Sequence, residues 1–397
     1  MPALKDLIAT RRPGWSLPRP FYTDPEILNE EFEQVFNHQW LFAGHVRQIP
    51  KIGDFFTYEL GHESLIIVRD ASNAVHALFN VCRHRGSRIC TTGKGHAAKL
   101  VCPYHQWVYD HNGELLAARH MPADFNKQEF GLKKANVRVL QGFIFIALSD
   151  DANDFDAIAR QAEPYLAALD YPSAKIAITH TYDVKSNWKL IVENSRECYH
   201  CPVGHPEYSR IMAPPPQFEP AVREKTQAER IARYEKMGLP TQRIQGDGWH
   251  VGRYPLGQSC YVSESLDGKP VAPPMGKLTE PDGGVMGFIV FPNFMMEASA
   301  DHAVTFRFTP KTPALTQIQA TWHVRGGAVE GKDYQIDRVT GFWRATGEQD
   351  WKLCEDNQAG VNSTRYEPGP YGEEEWGTER FVQWYLEKMS RAATNGK

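Results

Sequence analysis

The chain has 397 residues, of which 42% are hydrophobic and 23% charged, the composition of a globular protein long enough for two domains. A formal net charge of −4 argues against a nucleic-acid or anionic-membrane partner, and no apolar run reaches the roughly 18 residues of a membrane span. Seven cysteines, without an apolar export segment at the start, argue against a disulfide framework and predict a cytoplasmic location.

The first half of the chain changes from helical to strand-like patterns. A helix is predicted from Asp24 to Trp40, because Asp24 suits the N-cap, Pro25 suits the first helical position, and apolar side chains follow at helical spacing. Short β-rich runs separated by turn signals then predict a small all-β domain. These runs lie at residues 55–58, 64–68, 74–78 and 142–147.

The second half mixes the two patterns. Helices are predicted at 154–169, 332–358 and 378–389, and strands at 176–184, 285–291, 303–309 and 318–324. The charged segment 218–247 predicts a helix within a mobile excursion, and its role as a lid stays open. We therefore predict an α+β fold in three parts: an N-terminal helical segment (1–40) that packs on the last part, an all-β domain (41–150), and a larger α+β domain (151–397) whose antiparallel sheet is covered by helices.

Two short segments each combine one cysteine with one histidine: Cys82-x-His84 and Cys102-x-x-His105. A structural zinc site also takes two cysteines and two histidines, but zinc fingers usually pair cysteine with cysteine and histidine with histidine. The mixed pairing suits a [2Fe–2S] cluster in which cysteines hold one iron and histidines the other. The sequence therefore favours an electron-relay cluster over zinc. Cys90 lies off this spacing, and we interpret it as a small buried residue.

A second pair of histidines, His200 and His205, is five residues apart. On a continuous helix they would point about 140° apart, but Pro202 and Gly204 make continuation unfavourable. We predict a helix to about His200, a break, and a return of His205 towards it. Two histidines and one carboxylate form the facial triad of non-haem Fe(II) oxygenases, although this spacing alone is a weak signal.

The two motifs together resemble the α subunits of Rieske non-haem iron oxygenases, over about residues 18 to 390. Residues 81–87 read V-C-R-H-R-G-S, residues 102–109 read C-P-Y-H-Q-W-V-Y, and the family pattern E-x-x-H-x4-H is matched by Glu197, His200 and His205. The resemblance implies a Rieske [2Fe–2S] domain, a catalytic domain of the helix-grip (START-like) type, a mononuclear Fe(II) and O2 as co-substrate.

The same resemblance implies roles for single residues. It places the third iron ligand on Asp350, with Asp356 as the alternative in the same predicted helix. It implies that Glu197 does not bind iron but links His200 of one subunit to His105 of its neighbour. Asn194 and Tyr199 are further candidates for supporting the site, whereas Cys198 and Cys201 flank the ligands without a need to bind.

The resemblance also implies partners and a reaction: a homotrimer, a separate NAD(P)H-dependent flavin or iron–sulfur reductase, and a small-molecule substrate. Residues 193–201 are most similar to the branch that demethylates betaines and other quaternary ammonium compounds. Such cations bind aromatic faces, and candidate rings are Trp249, Phe288, Phe291, Phe294 and Trp322. The alternatives are hydroxylation of an aromatic ring and, in a different class, a Rieske electron carrier without catalysis.

Overall fold

The computed structural model describes residues 4–212 and 220–395, with side chains left out at 220–223, 226 and 391–395. The chain divides into two compact units, Asn37–Asn153 and Met1–Phe36 together with Asp154–Lys397. Residues 218 and 219 of the predicted excursion lie outside the described part, and a helix follows them at Pro220–Lys236. Within the described ranges, every helix is too short or too polar to cross a membrane.

The smaller unit is built from strands, as predicted. In chain order these are β1 (Leu41–His45), β2 (Asp54–Leu60), β3 (Glu63–Arg69), β4 (Val75–Phe79), β5 (Lys94–His96), β6 (Leu100–Val101), β7 (Val108–Tyr109), β8 (Leu115–Ala117), β9 (Lys134–Leu140) and β10 (Phe143–Ala147). A seven-stranded sheet has the order β1-β10-β9-β4-β3-β2-β5, and β6, β7 and β8 form a second sheet. The four predicted runs coincide with β2, β3, β4 and β10.

The larger unit combines helices with one antiparallel sheet. The helices are α1 (Leu4–Ala9), α2 (Pro20–Thr23), α3 (Pro25–Gln34), α4 (Phe155–Leu166), α5 (Trp188–Asn194), α6 (Cys201–Gly204), α7 (Pro206–Met212), α8 (Pro220–Lys236), α9 (Ile336–Val361) and α10 (Trp376–Asn395). The strands are β11 (Lys175–Val184), β12 (Ile244–Gly246), β13 (Trp249–Pro255), β14 (Gly284–Val290), β15 (Phe294–Ala298), β16 (His302–Thr312) and β17 (Leu315–Val324), in the sheet order β11-β17-β16-β15-β14-β13-β12. The α+β prediction is confirmed.

The first predicted helix begins where expected but ends early. Asp24 caps α3, since its Oδ1 accepts a hydrogen bond from the Glu26 backbone at 2.9 Å, and Pro25 occupies the first helical position. The helix stops at Gln34 instead of Trp40, because the next turn is a 3₁₀ turn and the chain then enters β1. Apolar residues continue at helical spacing beyond the true end of α3, because these side chains are buried whether or not the backbone is helical.

The two faces of the larger sheet have different neighbours. Phe306 of β16 packs against Trp343 and Trp351 of α9, with ring centroids 5.7 and 6.4 Å apart. Because side chains alternate along a strand, the register places Phe288 on the face away from α9. Phe288 and Phe294 are both buried there, 5.4 Å apart. These two predicted ligand-binding rings therefore belong to the core on the other side of the sheet.

A buried ion pair fixes the helices beneath the second histidine motif. Glu31 of α3 and Lys189 of α5 are both 0% exposed, and Lys189 Nζ lies 2.5 Å from Glu31 Oε1. The same carboxylate accepts hydrogen bonds from Trp188 Nε1 and Tyr385 Oη, each at 2.6 Å. One side chain thus joins α3, α5 and α10, and α5 is the helix that leads into the histidine motif.

We expect Glu31→Ala to destabilise the larger unit by about 3 to 5 kcal/mol, because it removes the salt-bridge partner of the buried Lys189 ammonium. The measurement is the urea midpoint of unfolding. Glu30→Ala, on the exposed side of the same helix, serves as the control and is expected to change stability by less than about 0.5 kcal/mol. A loss for Glu31→Ala no larger than that of the control would contradict the expectation.

Candidate metal centres

The first motif forms two loops with the same backbone hydrogen bonds. In one loop the Cys82 amide donates to Ser87 O at 2.9 Å and the Gly86 amide donates to Cys82 O at 2.9 Å. In the other loop, the Cys102 amide donates to Trp107 O at 2.9 Å and the Gln106 amide donates to Cys102 O at 3.0 Å. Gly86 and Gln106 take the matching positive φ, +79° and +58°. The two loops are therefore paired turns, each starting at its cysteine.

The cysteines of these loops point inwards and the histidines outwards. Cys82 and Cys102 belong to one buried cluster, and burial, with a further contribution from Cys102, raises the pKa of Cys82. The rings of His84 and His105 lie 4.5 Å apart near the surface, and His84 stacks on Trp107. His84 Nδ1 is buried and has no hydrogen-bond partner among the described residues. Two buried cysteines and a buried imidazole nitrogen without a partner among the described residues fit a metal cluster.

Tyr109 was not singled out from the sequence, yet it contacts the cluster loop directly. Its hydroxyl accepts a hydrogen bond from the Arg83 amide at 3.0 Å and lies 3.3 Å from Cys82 Sγ. With the amide already donating to the oxygen, the hydroxyl proton is free to point at the sulfur. Hydrogen bonds to cluster sulfurs raise the reduction potential. The only sequence signal was its place two residues after the tryptophan of the second loop.

We expect Tyr109→Phe to lower the reduction potential of the cluster by roughly 20 to 60 mV, since one hydrogen bond of about 0.5 to 1.5 kcal/mol to the reduced state is lost. Protein-film voltammetry measures this shift. The control is Tyr104→Phe, which removes the hydroxyl of an exposed ring that lies against His105. Equal potentials for Tyr109→Phe and the wild type would contradict the assignment.

The second motif follows a different backbone path from the predicted one. Helix α5 ends at Asn194, six residues before His200, because Ser195 Oγ donates back to Val192 O and the Arg196 amide turns to Glu193 O. The predicted continuation of this helix to His200 was therefore wrong. His205 follows the single turn of α6 in a non-helical conformation, and this break brings it back towards His200 as expected.

Hydrogen bonds define which imidazole nitrogens face each other. His200 Nδ1 lies 2.5 Å from Glu197 Oε1, and a carboxylate can only accept, so Nδ1 carries the proton. His205 Nδ1 lies 2.9 Å from Gln349 Oε1, whose amide nitrogen is fixed by donation to Glu207. Both Nε2 atoms are thereby left as acceptors, the state in which an imidazole binds a metal.

These two nitrogens converge on Asp350 of α9. The Nε2 atoms of His200 and His205 lie 3.0 Å apart, and Asp350 Oδ1 lies 3.2 and 2.8 Å from them. Metal–ligand bonds of about 2.1 Å at right angles separate neighbouring ligand atoms by about 3 Å. Although burial opposes it, the carboxylates of Asp350 and Glu197, which accept hydrogen bonds from the ring, raise the pKa of His200 to about 9, so the site favours a positive charge, whether a proton or a metal ion. Three acceptors that attract a cation at this spacing fit one face of an iron octahedron.

The remaining predicted residues take different positions around this triad. Asp356 is 61% exposed and pairs with Lys352, far round the helix from Asp350. Asn194 Nδ2 lies 3.3 Å from His200 Nε2, beside the metal position. The Tyr199 side chain is 67% exposed, and what reaches the site is its backbone amide, which donates to Glu197. Glu197 is thus held in a turn, beyond the end of the helix that was predicted to continue to His200.

Cys198 and Cys201, which flank His200, are bonded to each other. Cys201 Sγ lies within 4.8 Å of the ligand nitrogens of His200 and His205 and would otherwise be a competing metal ligand. The disulfide occupies this sulfur, although the cysteine count had argued against a disulfide framework. That neither cysteine binds the metal stays a prediction. The remaining cysteines, Cys82, Cys90, Cys102, Cys260 and Cys354, are free thiols.

Known families match both parts of the chain. Residues 39–137 match the Rieske [2Fe-2S] domain, and residues 173–391 match the catalytic domain of the ring hydroxylating alpha subunit. The chain belongs to the Rieske oxygenase α-subunit family. Its cofactors are accordingly a Rieske [2Fe–2S] cluster and a mononuclear iron that uses O2, so the zinc alternative is wrong. The catalytic-domain match also excludes a Rieske electron carrier without catalysis.

Several relatives of this Rieske oxygenase are similar along nearly the whole chain. The glycine betaine monooxygenase oxygenase subunit of Chromohalobacter salexigens is 39% identical, over 98% of this chain and 88% of its own length. The same subunit of Pseudomonas aeruginosa strain PAO1 is 38% identical, over 98% and 92%. A solved quaternary ammonium Rieske monooxygenase, studied for carnitine oxidation by gut microbiota and inter-subunit electron transfer, superimposes with a TM-score of 0.73 at 22% identity, covering 98% and 99% of the two chains.

Proposed function

We propose that this Rieske oxygenase α subunit removes an N-methyl group from a betaine or related quaternary ammonium compound. The observation that carries the proposal is the 39% identity, over 98% of the chain, to a glycine betaine monooxygenase oxygenase subunit. One atom of O2 hydroxylates the methyl group, and two electrons and two protons reduce the other atom to water. The N-hydroxymethyl product then loses formaldehyde and a proton, which leaves the tertiary amine.

Three side chains of the larger unit would hold the iron in this reaction: His200, His205 and Asp350. Bound iron supplies the O2 activation that no amino-acid side chain provides. The protein's part is to keep both Nε2 lone pairs aimed at one point, which Glu197 and Gln349 do by accepting the Nδ1 protons. Because the three ligands take one face, the opposite positions stay open for O2 and substrate.

Electrons would arrive through the cluster held by Cys82, His84, Cys102 and His105. We infer a homotrimer in which His105 of one subunit meets Glu197 of the next, with a separate NAD(P)H-dependent reductase feeding the cluster, in the cytoplasm. Two observations support the contact. The His105 side chain is exposed, and Glu197 lines a cavity of about 380 Å³. Inter-subunit electron transfer is also described for the solved relative.

An oxygen-uptake screen with a surrogate reductase tests the function. Glycine betaine, choline, carnitine and simple arenes are supplied in turn, and formaldehyde is measured in parallel. We expect uptake with one formaldehyde per O2 for at least one quaternary ammonium compound, and no hydroxylated arene. Uptake with arenes alone, without formaldehyde, would instead establish ring hydroxylation.

A further inference from the structure

Two carboxylates lie inside the larger unit without a salt bridge to any described residue, although the charge of His302 acts on Glu264 and that of Arg196 acts on Glu297. Glu297 of β15 faces α9, because it pairs with Val304, two residues before Phe306 on the same strand face. Glu264, in the connection from β13 to β14, is 1% exposed. Its Oε2 accepts a hydrogen bond from Ser299 Oγ at 3.3 Å, and its Oε1 makes none among the described residues. Neither carboxylate forms an ion pair within the described part of the chain.

The two carboxylates oppose each other's ionisation. Burial and the charge of Glu297 raise the pKa of Glu264. Burial also raises the pKa of Glu297 to about 8, although the charge of Arg196 lowers it. A buried carboxylate is costly unless it is paired or hydrogen-bonded. This pair of carboxylates therefore favours the binding of a cation. A cation without hydrogen-bond donors would be stabilised there by charge alone.

Space beside Glu297 is kept by a glycine. The Glu297 side chain keeps part of its surface accessible although it lies on the sheet face that packs against α9. Gly287 is its partner across the sheet. A Cβ at Gly287 would lie 3.2 Å from Glu297 Oε2 and 3.4 Å from Tyr254 Cε2. The carboxylate and the tyrosine ring thus flank one position where the absent side chain leaves room.

Tyr208 connects this carboxylate pair to the iron triad. It follows His205 by three residues, and the two ring centroids lie 6.2 Å apart. Its ring stacks on Phe342 at 5.8 Å and meets Trp343 edge-on at 6.0 Å. Burial raises the pKa of its hydroxyl, and the charges of Glu297, Glu264 and Asp350 raise it further. Tyr208 is therefore near both the carboxylates and the metal position.

A buried cation lies on the other side of Tyr254. Arg196 lines a cavity of about 230 Å³ together with Tyr254, Trp249 and Phe291. Its Nε has no partner in the described residues, and its Nη2 is 3.5 Å from His250 Nδ1. Burial lowers the pKa of Arg196 to about 10, so it remains charged at neutral pH. No carboxylate of the described chain lies within 4.0 Å of this guanidinium.

We propose that Glu297 and Glu264 bind the quaternary ammonium group of the substrate against Tyr208, and that Arg196 binds the substrate's carboxylate. This assignment rests on the proposed function and names the polar ends of its site. A quaternary ammonium group donates no hydrogen bond, so negative charge and ring faces are what recognise it. A guanidinium suits a carboxylate because it offers two parallel donors. The two ends fix the substrate with its methyl groups on the side of His205.

Calorimetric titration of the anaerobic holoenzyme with three probes tests this. Glycine betaine carries both charges, choline lacks the carboxylate, and 3,3-dimethylbutanoate replaces the ammonium by an uncharged tert-butyl group. Glu297→Gln should weaken glycine betaine and choline by about 30-fold or more and leave 3,3-dimethylbutanoate unchanged. Arg196→Met should weaken the two carboxylates by a similar factor and leave choline unchanged. The exposed Glu280→Gln is the matched control, expected to bind all three like the wild type.

The outcomes separate this inference from the function itself. If the wild type releases formaldehyde from betaine while Glu297→Gln keeps the wild-type Kd, or weakens all three probes equally, the inference fails and the function stands. If the wild type neither binds nor oxidises any quaternary ammonium compound, both fail. Should Glu297→Gln not fold, Glu264→Gln replaces it. That variant removes the charge of the second carboxylate and should weaken glycine betaine and choline, leave 3,3-dimethylbutanoate unchanged and keep the iron content, and unaltered binding or equal weakening of all three probes would overturn the assignment.

Discussion

Asp350→Ala is expected to abolish turnover while the Rieske spectrum stays intact. The variant removes the single carboxylate that meets both histidine nitrogens, at 2.8 and 3.2 Å, and two imidazoles alone do not complete a facial triad. Iron content should fall from about three to about two atoms per subunit. Metal analysis, the visible spectrum and formaldehyde release measure the three parts of this expectation.

The matched control for this experiment is Asp356→Ala. Asp356 lies in the same helix, but it is 61% exposed and pairs with Lys352 at the surface. We expect it to retain its iron and its activity within about twofold, since surface pairs contribute little. Full activity of Asp350→Ala, or loss of iron from Asp356→Ala alone, would show that the ligand had been assigned to the wrong aspartate.

Glu197→Gln is expected to keep both metal centres and slow turnover by about 10- to 100-fold. Glutamine is the same size and can still accept the Tyr199 amide, so the turn should survive. It no longer presents a charged carboxylate to His200 Nδ1, and in the proposed trimer it would interrupt the link to His105 of the next subunit. The decisive measurement is the rate at which the pre-reduced Rieske cluster is reoxidised in a single turnover.

Two further readings make that experiment specific. Reduction of the cluster by the reductase should proceed at the wild-type rate, because Glu197 belongs to the other metal centre. Glu374→Gln, a substitution at an exposed acid, should behave as the wild type in both steps. A wild-type reoxidation rate in Glu197→Gln would mean that this carboxylate only orients His200 and does not carry the link between subunits.

Ligand chemistry and local periodicity explain what could be predicted from the sequence. The pairing of one cysteine with one histidine in each loop indicated an iron–sulfur cluster before any fold was considered, because zinc sites pair these ligands differently. The predicted strands lie within a few residues of their positions in the structure, since runs of β-branched and aromatic residues bounded by turn residues indicate strands. Helix ends were less well predicted. In α5 the end depends on Ser195 and Arg196 turning back to their own helix, which apolar spacing does not encode.

The sequence by itself determined which metal centres the protein has and its fold class. Only the tertiary structure decided which residues, distant along the chain, come together at those centres. It brought Asp350, rather than Asp356, to His205 and His200, which lie 145 and 150 residues earlier in the chain. It assigned the imidazole tautomers through Glu197 and Gln349, and it removed Phe288 from the site by placing it on the opposite sheet face. It also placed Glu297 and Tyr254 beside Gly287, with Arg196 next to Tyr254 in the lining of a cavity. Hydrogen bonds and charges act over a few ångströms of space, and the distance along the chain does not predict them.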